Sequence, residues 1–158
     1  MTVRVRPARV DDVELVHAMI RELAVYEKLE HALEAKPADI AGLLFGPRPA
    51  AFCDIVEVDG APAGFALWFY SVSTFKGRRG IYLEDLFVQE AHRGKGAGLA
   101  LLKTLARRCR DEGLGRLEWA VLDWNAPSIA FYDSLGADAM TDWITRRLTG
   151  KALAELAA

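Results

Sequence analysis

Seven residues, His92 to Gly98 (HRGKGAG), hold three glycines and two cations between an apolar run, IYLEDLFV, and a helical stripe, LALLKTLARRC. A helix begins with amides that have no partner inside it and carry partial positive charge, so a glycine-rich helix start lets a large anion approach the backbone. Arg93 and Lys95 add charge. The chemistry this arrangement suits is the grip of a phosphate group. Two better-known phosphate loops do not fit: Lys95 is followed by Gly96 rather than Ser or Thr, and the spacing of Gly94, Gly96 and Gly98 misses GxGxxG. What remains is R-x-x-G-x-G, from Arg93 to Gly98.

Such a loop needs a strand before it and a helix after it, and the rest of the chain supplies both. VRVR (Val3–Arg6) alternates as a half-buried strand, and Asp11 with Glu14 reads as a capping box opening a helix. That helix runs to about Lys28, its core face made by Val13, Val16, Ile20 and Leu23. Pro37 opens a shorter helix that Gly46 closes. AFCDIVEV and AGFALWFYSV, joined by Asp59-Gly60, read as a hairpin, and GIYLEDLFV pairs with it. After the loop, Leu99, Leu102, Leu105 and Ala106 stripe a helix ending near Gly113. RLEWAVL, a short helix APSIAFYDSLG stopped by Gly136, and a final strand WITRRLT complete the order β-α-α-β-β-β-α-β-α-β. The expectation is one α/β domain over residues 1–158, a mixed sheet flanked by helices.

The net charge of -2 and pI of about 5.9 supply no long-range attraction for nucleic acid or anionic lipid. No apolar run is long enough for a bilayer span and MTVRVRPAR lacks a secretory core, so a cytoplasmic protein is expected. Cys53 and Cys109 have no metal-ligand spacing, and His17, His31 and His92 are scattered, so no metal site is expected.

YLEDLFVQEAHRGKGAG followed by VLDWNAPSIAFYDSLGA resembles the GNAT superfamily of acetyl-CoA-dependent N-acetyltransferases, and within it the spermidine/spermine (diamine) N-acetyltransferases. The likeness extends from VRPA near the start, through ELAVYEKLE, to RLTG. It implies a splayed mixed sheet holding a pantetheine arm between two parted strands. Acetyl-CoA is then the acetyl donor, its pyrophosphate cradled by Arg93, Gly94, Lys95, Gly96, Ala97 and Gly98, its pantetheine paired with the backbone of Leu86, Phe87 and Val88. Asn125 matches a position that helps hold the cofactor arm, and it is also placed to cap the helix beginning at Ala126.

Acetyl transfer to an amine needs a neutral amine, a donor for the developing oxyanion and a proton for the departing thiolate. By the resemblance, Tyr132 donates that proton and Glu84 is the base, directly or through water. An unpaired amide near Phe87 or Val88 is the oxyanion donor. Because side chains alternate along a strand, Glu84 and Asp85 share a face only if a bulge intervenes. Tyr26 and Glu27 match the family's substrate segment, with Glu30 and Glu34 as further carboxylates and Trp68, Phe69 and Tyr70 as walls for an ammonium chain. The substrate class implied is a polyamine, a diamine or an aminoalkyl amino acid such as thialysine. A protein or peptide N-acetyltransferase and a non-catalytic acetyl-CoA-binding module stay open as alternatives. The family pairing of subunits, with the apolar stripe of WITRRLTGKALAELAA, implies a homodimer.

Overall fold

Strands β1 (Val3–Pro7), β2 (Phe52–Val58), β3 (Ala61–Ser73) and β4 (Arg78–Val88) lie side by side in chain order and pair antiparallel, while β5 (Leu117–Trp119) joins β4 in parallel. This five-stranded mixed sheet is seen in a computed structural model that describes all residues 1–158 as two compact units, Met1–Ala120 and Val121–Ala158. The first unit also contains helices α1 (Val13–Tyr26), α2 (Pro37–Phe45) and α3 (Ala97–Glu112). The second contains α4 (Ala126–Ser134) and α5 (Gly150–Leu156). No helix is long and apolar enough to cross a membrane.

The sheet carries two buried faces, as the apolar density of β2 and β3 requires. Cys53, Ile55, Phe65 and Leu67 pack with Val16, Met19 and Leu23 of α1 and Ile40 and Leu44 of α2. The alternate residues Val56, Ala66, Trp68, Ile81 and Leu83 are buried on the opposite side, where α3 brings Leu101 and Leu105. Each large apolar side chain so enclosed contributes about 1.5–3 kcal/mol. Asp59 and Gly60 turn the β2–β3 hairpin with φ of 51° and 81°, the left-handed pair that a tight two-residue hairpin needs.

The expected capping box takes a different form. Asp12, not Glu14, folds back, its Oδ2 accepting from the Arg9 amide at 2.7 Å. The same carboxylate receives Arg6 Nη1 at 2.8 Å and Nη2 at 3.0 Å, while Arg6 Nε reaches Glu57 Oε1 at 2.6 Å. One guanidinium thereby ties β1, β2 and the start of α1, and it holds the Asp12 carboxyl below its ordinary range.

Two expected strands change. RLEWAVL pairs only over Leu117–Trp119, and WITRRLT forms no strand at all. Alternating apolar residues become a strand only beside a ladder with an open edge. Here Trp143 and Ile144 are 78% and 79% exposed. The residues after them, KALAEL, are strong helix formers and build α5 instead.

Candidate active site

Along β4 the cross-strand register slips by one residue: Leu67 faces Asp85, yet the next residue of β3, Trp68, faces Leu83. Glu84 is the extra residue, a β-bulge. Tyr82 lies opposite Phe69 and Phe87 opposite Phe65, so both are on the α1 side of the sheet. Counting inward from each end, Glu84 follows Tyr82 by two residues and Asp85 precedes Phe87 by two, and the bulge sets both carboxylates toward that same side.

The bulge is also where the pairing of β4 with β5 ends. β5 pairs with β4 only at Ile81–Leu83, leaving the stretch from Glu84 to Val88 without a strand on its β5 side. The Gln89 amide donates to Ala63 of the β3 side at 2.8 Å, so by alternation the amides of Leu86 and Val88, rather than that of Phe87, face the open side. On the other flank β3 presses close: a Cβ on Gly64 would meet Phe87 O at only 2.3 Å. Position 64 therefore has room for hydrogen alone.

Immediately beyond β4 comes the glycine loop. Gly94 and Gly96 adopt φ of 75° and 79°, and a Cβ on either would point into open space, so their backbone can be approached closely from outside. Gly96 precedes the 16-residue α3, in which the Ala100 amide bonds to Gly96 O at 2.9 Å; the amides of the first turn stay outward. Arg93 donates from Nε to Val88 O at 2.9 Å, and Lys95 Nζ to Ala91 O at 3.2 Å. An open strand edge leading into a cationic helix start is what a pantetheine arm ending in a pyrophosphate requires, and Leu86, Val88 and Arg93 to Gly98 fit that group.

Beside this slot stand three carboxylates. Asp85 is half-buried, and its carboxyl is pushed up to about 7 by burial first, then by the neighbouring charges of Glu84 and Glu27, with no cation to offset them. Burial likewise raises the Glu27 carboxyl above its usual range. Glu27 stands at the end of α1, which Lys28 terminates with a left-handed φ of 61°. Glu84 is exposed. Tyr26 packs at the margin of the core, with the Arg93 guanidinium over its ring.

Not every expected neighbour joins them. Glu30 and Glu34 line a separate cleft of about 370 Å³ whose walls also include His17, Arg21 and Lys36. Of the three proposed walls only Phe69 lies on the α1 side. Trp68 donates to the buried Asp54 at 2.9 Å, and Tyr70 donates to Glu112 of α3 at 2.6 Å, so both belong to the opposite face. In the second unit, Asn125 caps α4, its Oδ1 accepting from the Ser128 amide at 3.4 Å, and Tyr132 stands one turn and a half along that helix with its ring 5.6 Å from that of Phe131. Asp85 was not among the sequence candidates. Its signal was the adjacent Glu84-Asp85 pair in an apolar strand, whose consequence depends on a bulge that local sequence does not display.

The acetyltransferase (GNAT) family profile matches residues 16–137. The chain is 37% identical to the thialysine N-epsilon-acetyltransferase of Bos taurus over 98% of its own length and 97% of that protein's. It is 31% identical to the L-ornithine N5-acetyltransferase of Arabidopsis thaliana, covering 95% of this chain and 86% of the relative. An integron cassette protein from the mobile metagenome of V. cholerae superposes with a TM-score of 0.82 at 29% identity, covering 99% and 98% of the two chains. The open β4 edge, the R-x-x-G-x-G helix start and these likenesses agree: the chain belongs to the acetyltransferase (GNAT) family, whose members take their acetyl group from acetyl-CoA.

Proposed function

We propose that this acetyl-CoA-dependent N-acetyltransferase acetylates a primary amine of a small polyamine, a diamine or an aminoalkyl amino acid such as thialysine. The observation that carries the reading is the grouping of Glu27, Glu84 and Asp85 beside the open edge of β4. Several carboxylates at one place suit a substrate with more than one ammonium group, and relatives named for thialysine and L-ornithine support the same class.

Acetyl-CoA supplies an activated thioester. The Leu86 and Val88 amides, with Phe87 between them, hold its arm, the loop Arg93, Gly94, Lys95, Gly96, Ala97 and Gly98 holds its pyrophosphate, and the family resemblance assigns Asn125 and Tyr132 to the same cofactor. Tyr26 and Glu27 bind the amine. Glu84 receives the proton that the ammonium must shed, directly or through water, and the Tyr132 phenol supplies the proton that the thiolate takes. In this reading residues 1–158 act as one catalytic domain, in a cytoplasmic homodimer.

Matched diamines, monoamines and N-terminal peptides offered as acceptors test the reading. A diamine should exceed the monoamine of equal length in kcat/KM by roughly 10- to 150-fold, the worth of one charge-assisted contact of about 1.5–3 kcal/mol. Glu27→Gln should shrink that ratio through KM. Equal use of monoamines, or preference for peptides, would overturn the substrate class. A monomeric mass in light scattering would overturn the dimer.

A further inference from the structure

Resting on that reading of the site, we infer that Asp85 is the terminal proton acceptor of the reaction: Glu84, on the exposed side of the bulge, meets the ammonium and passes its proton inward to Asp85.

The geometry divides the labour. A regular strand would have sent the two neighbouring carboxylates to opposite faces, whereas the one-residue slip between Leu67 and Trp68 places both on the α1 side. There they differ in surroundings: Glu84 is exposed, and Asp85 is half-buried between the hydrophobic Leu67 opposite and the core residue Phe87. The ionisable groups facing Asp85 are Glu84 on its own strand, Glu27 from the end of α1 and the buried Cys53 thiol of β2. None of them is a cation. In such company the proton affinity of the carboxyl rises toward neutral, so Asp85 takes up a proton readily there and still gives it back between turnovers, and its value of about 7 matches.

The step balances. The amine nitrogen, having lost one proton to Glu84 and thence to Asp85, forms the new N–C bond with its lone pair. The C–S bond breaks with its electrons on sulfur, sulfur takes the Tyr132 proton, and the second proton leaving nitrogen restores that phenol through water. Asp85 returns its proton to solvent through Glu84 before the next turnover.

The test is the pH profile of kcat/KM for a diamine in wild type, Asp85→Asn, Asp85→Glu and Glu84→Gln. Wild type should show an acid limb with a midpoint near pH 7. Asp85→Asn should lose that limb and fall at least tenfold in plateau rate. Asp85→Glu should restore the limb at reduced rate. Glu84→Gln, which removes a repelling charge, should slow the reaction and move the limb to lower pH. An Asp85→Asn enzyme within twofold of wild type, with its limb in place, overturns the inference, as does failure of Asp85→Glu to recover any limb in an enzyme that still binds acetyl-CoA. Acetyl-CoA binding by calorimetry separates these results from misfolding. Absence of amine acetylation by wild type would instead overturn the functional reading itself.

Discussion

The Arg93 guanidinium lies 4.9 Å from the centre of the Tyr26 ring, joining the residue that opens the glycine loop to the last residue of α1. The same group lies 5.7 Å from the Phe87 ring and donates to Val88 O. Gln89 reinforces the junction by donating to Glu22 at 3.0 Å. The glycine loop, the end of β4 and α1 are therefore mechanically continuous. An exposed cation-π contact contributes about 0.5–1 kcal/mol, or roughly 2- to 5-fold in binding. Tyr26→Leu should weaken acetyl-CoA by that factor in calorimetry, and it should do nothing further in an Arg93→Lys background. Full additivity of the two changes would show that the ring does not position the guanidinium.

Gly96→Val tests the helix start. Its left-handed backbone strains any branched side chain by about 1–2 kcal/mol, and its Cβ would project into the space where the anion approaches. Acetyl-CoA affinity should fall at least tenfold, with only a few degrees lost in Tm. Gly42→Ala provides the contrast: this α2 glycine also has open space around its Cβ but no positive φ, so alanine should stabilise by about 0.5–1 kcal/mol and leave binding unchanged. Equal binding by the Gly96 variant would remove the loop from the cofactor site.

Tyr132→Phe should lower kcat on the order of 100-fold while acetyl-CoA affinity stays within about twofold, because a hydroxyl used only in the transition state adds nothing to ground-state binding. Single-turnover rates isolate the chemical step. If those rates match wild type, Tyr132 is a packing residue of α4.

Asp85 also predicts a stability signature. Its folded carboxyl titrates at about 7 against an ordinary value of 3.8, so the stabilisation it gives is complete below the unfolded value and is lost as pH rises through 7. Asp85→Asn escapes that loss. Its Tm should exceed that of wild type at pH 8, by on the order of 2 kcal/mol or about 4–8 °C, and the gap should close steadily toward pH 4. Thermal unfolding across that range is the measurement. A variant less stable than wild type at pH 8 would show that Asp85 is a structural partner and not a strained carboxylate.

Much of this site is written in short-range patterns. The glycines from Gly94 to Gly98, the Asp59-Gly60 turn and the Pro37 helix start each act through their own backbone, and each stands where local rules put it. What sequence alone does not display depends on partners far along the chain. Whether Trp68 and Tyr70 wall the amine or pack under α3 depends on a register set jointly by β2, β3 and β4, and they pack under α3. WITRRLT has strand-like alternation without a ladder to complete. Glu30 and Glu34 looked equivalent to Glu27, yet the turn after Lys28 carries them to a cleft with Arg21 and Lys36.

The bulge makes Glu84 an insertion in an otherwise regular ladder. Excising the residue, instead of trimming its side chain, would turn Leu67–Asp85 and Trp68–Leu83 into consecutive rungs while every other pair keeps its present partner. A one-codon deletion and a Glu84→Gln exchange would thus dissect the strand in complementary ways: the first straightens the kink and takes the carboxylate with it, whereas the second leaves the kink and takes only the charge.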